Sequence, residues 1–141
     1  MRRALTLLRE EEGSTLPLIL GYLLLAIAVT LVCVCATDLY IAQKRLDSMA
    51  DSAALAGADG FVLSVGADGA RAELTDGGVR EQALAIVTAI DSDAEVLAAT
   101  TPDGVSARVS VRAVWNPPVL SPFIPGGVEL ISTATSRTAL R

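Results

Sequence analysis

The sequence predicts an α+β protein: a long N-terminal helix, half transmembrane and half amphipathic, packed on a small three-stranded antiparallel sheet with one short extra helix. Three observations predict it. Residues 14–37, STLPLILGYLLLAIAVTLVCVCAT, carry no charged side chain. Residues 38–58 keep a helical period but become apolar on one side only, and from Glu95 onward the apolar period falls to two. The chain therefore divides into a cytoplasmic leader (1–13), a transmembrane helix (14–37), an amphipathic extension of that helix (38–58) and a small extracytoplasmic α+β head (59–141).

The uncharged run reaches roughly 36 Å as a helix, enough to cross a hydrocarbon core of roughly 30 Å. A soluble core helix apolar all round would need several amphipathic helices about it, and this chain of 141 residues offers one or two. A cleaved secretory signal is the sharper rival, since Arg2 and Arg3 precede the run and Ala26-Ile27-Ala28 has the spacing of a small-residue cleavage site. The run stays apolar well past Ala28, where a cleaved signal turns polar. A lipoprotein-type anchor has no support, because Val32 and Val34, not small residues, precede Cys33 and Cys35. Arg2, Arg3 and Arg9 are answered by Glu10, Glu11 and Glu12, but acidic residues count for little in setting topology. The expected placement is a single pass through the plasma membrane, N-terminus inside, with Lys44 and Arg45 reducing the bias from the far side. Gly13 interrupts the leader, Ser14 or Thr15 can cap the next helix, and Pro17 falls in its first turn. The helix is expected from about Thr15 to Ala58.

Past Thr37, Leu39, Ala42, Leu46, Met49, Ala50, Ala53, Ala56 and Gly57 fall within about 120° of arc, with Lys44, Asp47, Ser48 and Asp51 opposite. Ala50, Ala54 and Ala58 form one row, and Ala53 and Gly57 another. Small residues at four-residue spacing let a second backbone come close, whether the chain's own sheet or a neighbouring helix. The candidate assembly surface is therefore Ile41, Ala50, Ala53, Ala54, Leu55, Gly57 and Ala58, with Ile41 and Leu55 off the main stripe. Residues 59–78 read as a mobile loop punctuated by Gly60, Gly66, Gly69, Gly77 and Gly78. Val79, Ala83, Ile86, Val87 and Ile90 then recur at helical spacing, giving a second amphipathic helix from about Val79 to Ile90, with Asp76 and the glycines after it as its entry and the polar run Asp91-Ser92-Asp93 as its end.

Glu95–Thr100 reads as a strand and Thr101-Pro102-Asp103-Gly104 as a turn. From Val105 to Val114 the odd positions are apolar and Ser106, Arg108, Ser110 and Arg112 point the other way. The proline-rich residues 116–127 cannot continue a strand and form a loop carrying Val119, Leu120, Phe123 and Ile124. Residues 128–136 supply the third strand. Trp115, Phe123 and Ile124 are candidates for loop contact with a partner or a membrane surface; packing of the loop over the chain's own sheet is the other reading.

The chemistry is narrow. The chain has no histidine, the commonest general base. Cys33 and Cys35 project roughly 200° apart on a helix, which excludes a mutual disulfide. Asp91 with Asp93, or Asp47 with Asp51, lack the surroundings of an acid/base pair, and Asp91-Ser92-Asp93-Ala94-Glu95 lacks the glycine turn and distal glutamate of a calcium loop. No catalytic residue, metal or cofactor is expected, and the net charge of −5 with scattered basic residues gives no nucleic-acid surface. The lipid bilayer is the first expected partner.

Residues 13–58, GSTLPLILGYLLLAIAVTLVCVCATDLYIAQKRLDSMADSAALAGA, resemble the N-terminal signature of the TadE/TadG-like proteins of tight-adherence (Flp) pilus assembly, the Ala-rich stretch most of all. The resemblance implies a pilin-like single-pass membrane protein whose partners are other pilin-like or pilus-assembly proteins, in a homo- or hetero-oligomer. It also implies a candidate processing site at Gly13 and Ser14. Cleavage there would make Leu18 the fifth mature residue, where prepilin-like members carry Glu, and the leader ends in three glutamates. This departure favours an uncleaved accessory protein or an end-located minor pilin or pseudopilin over a subunit of the pilus shaft. The expected function is a structural component of a tight-adherence pilus or related secretion system; the alternative is a membrane-tethered binding module presenting residues 116–127.

Overall fold

The computed structural model describes residues 2–66, 69–119, 121–122 and 125–138. In chain order the elements are α1 (Arg2–Asp59), β1 (Val62–Gly66), β2 (Gly69–Glu73), α2 (Asp76–Ile90), β3 (Glu95–Thr100), β4 (Ser106–Trp115) and β5 (Val128–Arg137). They fall into two compact units, Met1–Asp38 and Leu39–Arg141, and α1 contributes to both.

The described residues of the first unit are helix alone. The helix begins well before the expected Thr15 and passes through Gly13, so Ser14 and Thr15 are not caps and Pro17 lies inside the helix rather than in its first turn. The leader is rich in helix formers, and one glycine costs only about 1 kcal/mol relative to alanine, too little to end a helix. Bulky apolar side chains face outward on every side: Leu16, Tyr22 and Val32 are 70%, 65% and 68% exposed. The hydroxyls of Thr30 and Thr37 donate to the carbonyls of Ala26 and Cys33 at 2.8 and 2.9 Å, so neither offers an unpaired polar group to apolar surroundings. Cys33 and Cys35 are both free thiols.

The second unit has one core. Leu46, Met49, Ala50, Ala53, Ala54 and Ala58 of α1 pack with Val79, Ala83 and Val87 of α2 over the buried face of a three-stranded antiparallel sheet, order β3-β4-β5. Val96, Ala99, Ala107, Val109, Val111 and Ala134 supply that face. Val109 pairs with Ala134 and, across the other edge, with Ala99, so buried residues share a side as a period of two requires. A shift in register between Val96 and Ala98 marks an irregularity in β3.

Several expectations are corrected in detail. Residues 59–78 are not one loop: β1 and β2 form a two-stranded antiparallel hairpin, Val62 opposite Glu73 and Gly66 opposite Gly69. Its connection, 67–68, lies outside the described residues. α2 starts at Asp76, three residues before the first apolar position. Thr75 is its N-cap, its hydroxyl accepting from Gly78 N at 3.2 Å, while Asp76 accepts Thr101 N at 2.6 Å. Ile90 is exposed rather than part of the apolar stripe. Val105 is exposed and Ser106 buried, because Asp103 folds the chain back onto itself ahead of β4.

Candidate assembly surfaces

The small-residue face of α1 is occupied within the second unit. Ala50, Ala53, Ala54 and Ala58 are at most 1% exposed, and Gly57 is buried with them. A Cβ on Gly57 would lie 2.9 Å from Val79 Cγ1 and 3.3 Å from Ala107 Cβ. Here α1, α2 and β4 meet at a distance that only a missing side chain allows. Of the seven residues proposed as an assembly surface, these five therefore face the chain's own core, and Ile41 and Leu55 remain exposed. Those two lie fourteen positions apart, so roughly 40° separates them around the helix. Ser48, midway, is exposed as well, and its carbonyl accepts the Ser52 hydroxyl at 2.8 Å.

A polar clasp fastens α1 to β5. Asp47 Oδ1 accepts from Gln43 Nε2 at 3.0 Å and from the Ser132 hydroxyl at 2.8 Å, while Lys44 Nζ stands 3.2 Å from Oδ2. Gln43 Nε2 also lies 3.4 Å from the carbonyl of Ile131. Hydrogen bonds from Gln43, Ser132 and Lys44 hold the Asp47 carboxyl below its usual range. The same pairing raises Lys44, whose Nζ lies 5.9 Å from the Tyr40 ring centroid. The clasp commits Asp47 to three donors, Gln43, Ser132 and Lys44, and Asp51, one helical turn on, takes no direct part in it.

At the turn into β4, Asp103 accepts Val105 N at 3.0 Å, Ser106 N at 2.6 Å and the Ser106 hydroxyl at 2.9 Å. The two bonds from Ser106 and Val105 backbone, then the Ser106 hydroxyl, hold this carboxyl low. Asp91 accepts Asp93 N at 2.9 Å, a local turn, and Glu95 pairs with Arg112. Among the described residues no group of three His, Cys, Asp or Glu side chains is placed to hold a metal ion.

The solvent face of the sheet is knit by side chains. Arg112 bridges Glu95 and, at 3.5 Å, Glu129, and the Ser110 and Thr133 hydroxyls lie 2.8 Å apart. Its polar groups satisfy one another. Where β4 ends, a groove of about 220 Å³ joins Ala42 and Arg45 of α1 to Val114, Trp115 and Asn116. Trp115 is half-buried along it; Pro117 is fully buried and Val119 exposed. Phe123 and Ile124, the other two residues proposed for loop contact, lie outside the described residues, as does Leu120. Gly13 and Ser14 are both in helical backbone.

The exposed apolar residues of β1 were not anticipated: Val62 and Leu63, on opposite faces of the strand, are exposed, and Val65 is 84% exposed. The signal was present in the β-branched and apolar Val62-Leu63-Ser64-Val65 ahead of two glycines separated by Ala67-Asp68, a hairpin spacing hidden among five glycines.

Residues 13–60 match the family model of TadE/G-like Flp pilus-assembly proteins. The match covers the uncharged run, the small-residue face and the end of α1, and stops before the hairpin. No curated protein and no solved structure matches the chain. Among the described residues one helix, over Thr15–Asp59 of α1, is long and apolar enough to cross a membrane.

Proposed function

We propose that this chain is a membrane-anchored, non-catalytic component of a tight-adherence type pilus or a related secretion machine, anchored by residues 14–37 with its head outside the cytoplasm. One observation carries the reading: the segment similar to the TadE/G-like family, residues 13–60, is the segment that turns from bulky apolar residues to a small-residue face. An accessory protein or end-located minor subunit fits better than a shaft subunit, since Leu18 stands where a shaft prepilin would carry Glu. An uncharged span also avoids the penalty of an unpaired carboxylate in lipid. Contact with other pilin-like proteins is assigned to the exposed side of α1 that carries Ile41 and Leu55.

The test is photo-crosslinking in membranes from a photoreactive residue placed at Leu55, with the N-terminus of the purified protein determined in parallel. Adducts with pilus or secretion components are expected from position 55 and not from Thr133 on the sheet. Repeated failure to recover any such component from either position sinks the reading. A chain starting at Ser14 would overturn the uncleaved form.

A further inference from the structure

We propose that the end of the head carrying Trp115 rests in the lipid headgroup layer of the bilayer that holds residues 14–37. The inference builds on the membrane-spanning reading and adds a second, peripheral contact to it.

Near the C-terminal end of α1, Gly57 adjoins Ala107 at the start of β4. Fifteen positions earlier, Ala42 shares a groove with Val114 and Trp115 at the end of β4. β4 thus runs back along α1, and Trp115 lies at the end of the head where α1 enters it. Trp115 pairs with Val128, so the proline-rich loop leaves and returns at that same end.

Chain length then ties this end to the membrane. Tyr40 is three positions beyond Thr37, the last residue of the uncharged run, and Ala42 five positions beyond. Even a fully extended chain places Ala42 within roughly 18 Å of Thr37, and helical rise shortens that to about 8 Å. Headgroup layers add roughly 5–8 Å on each side of the hydrocarbon.

Composition matches that depth. Tyr40 is 63% exposed and Val114 56%, beside exposed Ile41. Tyrosine and tryptophan rings prefer the interface, where the ring body meets hydrocarbon and the polar tip meets water. Arg45 is exposed and in no ion pair among the described residues, and its long stem can carry the guanidinium toward lipid phosphates. The opposite end has another character: the turn Thr101-Pro102-Asp103-Gly104 is polar, non-aromatic and closed by the Asp103 hydrogen bonds.

Trp115 is the single tryptophan, so the native chain carries its own probe. The full chain is reconstituted in phosphatidylcholine–phosphatidylglycerol vesicles with and without headgroup-spin-labelled lipid, and flotation verifies membrane residence. A second protein, Trp115→Phe with Pro102→Trp, moves the probe to the far end of β4, about 30 Å away. Quenching of native Trp115 at least about twofold stronger than that of the relocated probe is expected over such a distance. Equal or weaker quenching in floated vesicles overturns this inference while leaving the membrane-spanning reading intact. A chain that does not float overturns both. Should the relocated variant fold poorly, the native protein still decides: Trp115 that floats with the vesicles and is not quenched by headgroup label refutes the contact.

Discussion

The two parts of α1 place their apolar residues in opposite circumstances. Between Leu16 and Val34 the side chains are bulky, and Leu16, Ile19, Tyr22 and Val32 are exposed; between Leu46 and Ala58 they are mostly alanine and glycine, and nearly all on one face are buried. Bulk on every side suits a surrounding of mobile hydrocarbon, which fits any shape and needs no close backbone approach. Small residues suit a fixed protein neighbour, because removing side chains lets α2 and β4 come within contact of the helix backbone. The same secondary structure is thus directed to two solvents by side-chain volume rather than by hydrophobicity alone.

The largest test of that contrast is charge. Leu25→Arg is expected to cost about 3 kcal/mol in insertion and to lower the share of the chain in the carbonate-resistant membrane fraction. Leu55→Arg should leave that fraction unchanged, since residue 55 lies beyond the uncharged run.

Volume gives the next effect. Ala53→Leu adds bulk at a position with no exposure, and overpacking of this kind costs about 1–3 kcal/mol. The expected reading is a lower denaturant midpoint for the head of the detergent-solubilised chain. Gly57→Ala should act in the same direction through Val79, whereas Ile27→Ala, an equally apolar position in the first part, should leave the midpoint where it is.

A smaller effect follows from the carboxylates that fasten only the second part. Asp47 and Asp103 both have folded-state values below the ordinary 3.8, so their stabilisation is fully present above that value and fades as pH falls through the lower folded one. Head stability should therefore decline on acidification below about pH 4, and Asp103→Asn should be less stable than the native chain at neutral pH but converge with it in acid. Thermal melts across pH check this; a constant gap between the two proteins contradicts it.

Least perturbing of all is Leu55→Glu, expected to move head stability by no more than about 0.5 kcal/mol because the side chain is exposed. Its measurable consequence is loss of crosslinks to partners from a photoreactive residue placed at Ile41 on the same exposed side, which sharpens the contrast between the buried and open sides of the same helical stretch.

Much of this architecture was legible beforehand. The switch from period 3.6 to period two located α2 and the three strands of the larger sheet to within a few residues, since Val79, Ala83 and Val87, and then Ala107, Val109 and Val111, declare their buried faces by spacing alone. The glycines between Asp59 and Gly78 concealed the hairpin, because glycine breaks both periods while remaining compatible with a two-residue turn. The small-residue face was visible as a surface suited to close approach, but spacing does not say which backbone approaches. Spacing already set Ile41 and Leu55 off the small-residue stripe, since Ala50 and Leu55, five positions apart, differ by about 140° around the helix, but only packing shows that the stripe is covered by the chain's own α2 and β4.

That one segment is uncharged for the length of a bilayer, and that a helix with small residues leads into alternating strands, follows from the residues alone, because period and charge are local properties. The convergence of α2 and β4 on Gly57, the reach of Asp47 to Ser132 across 85 positions and the return of Trp115 to the start of the head beside Ala42 come from packing. Those contacts join residues distant in the chain, and no periodicity in one element records which residue of another it will meet.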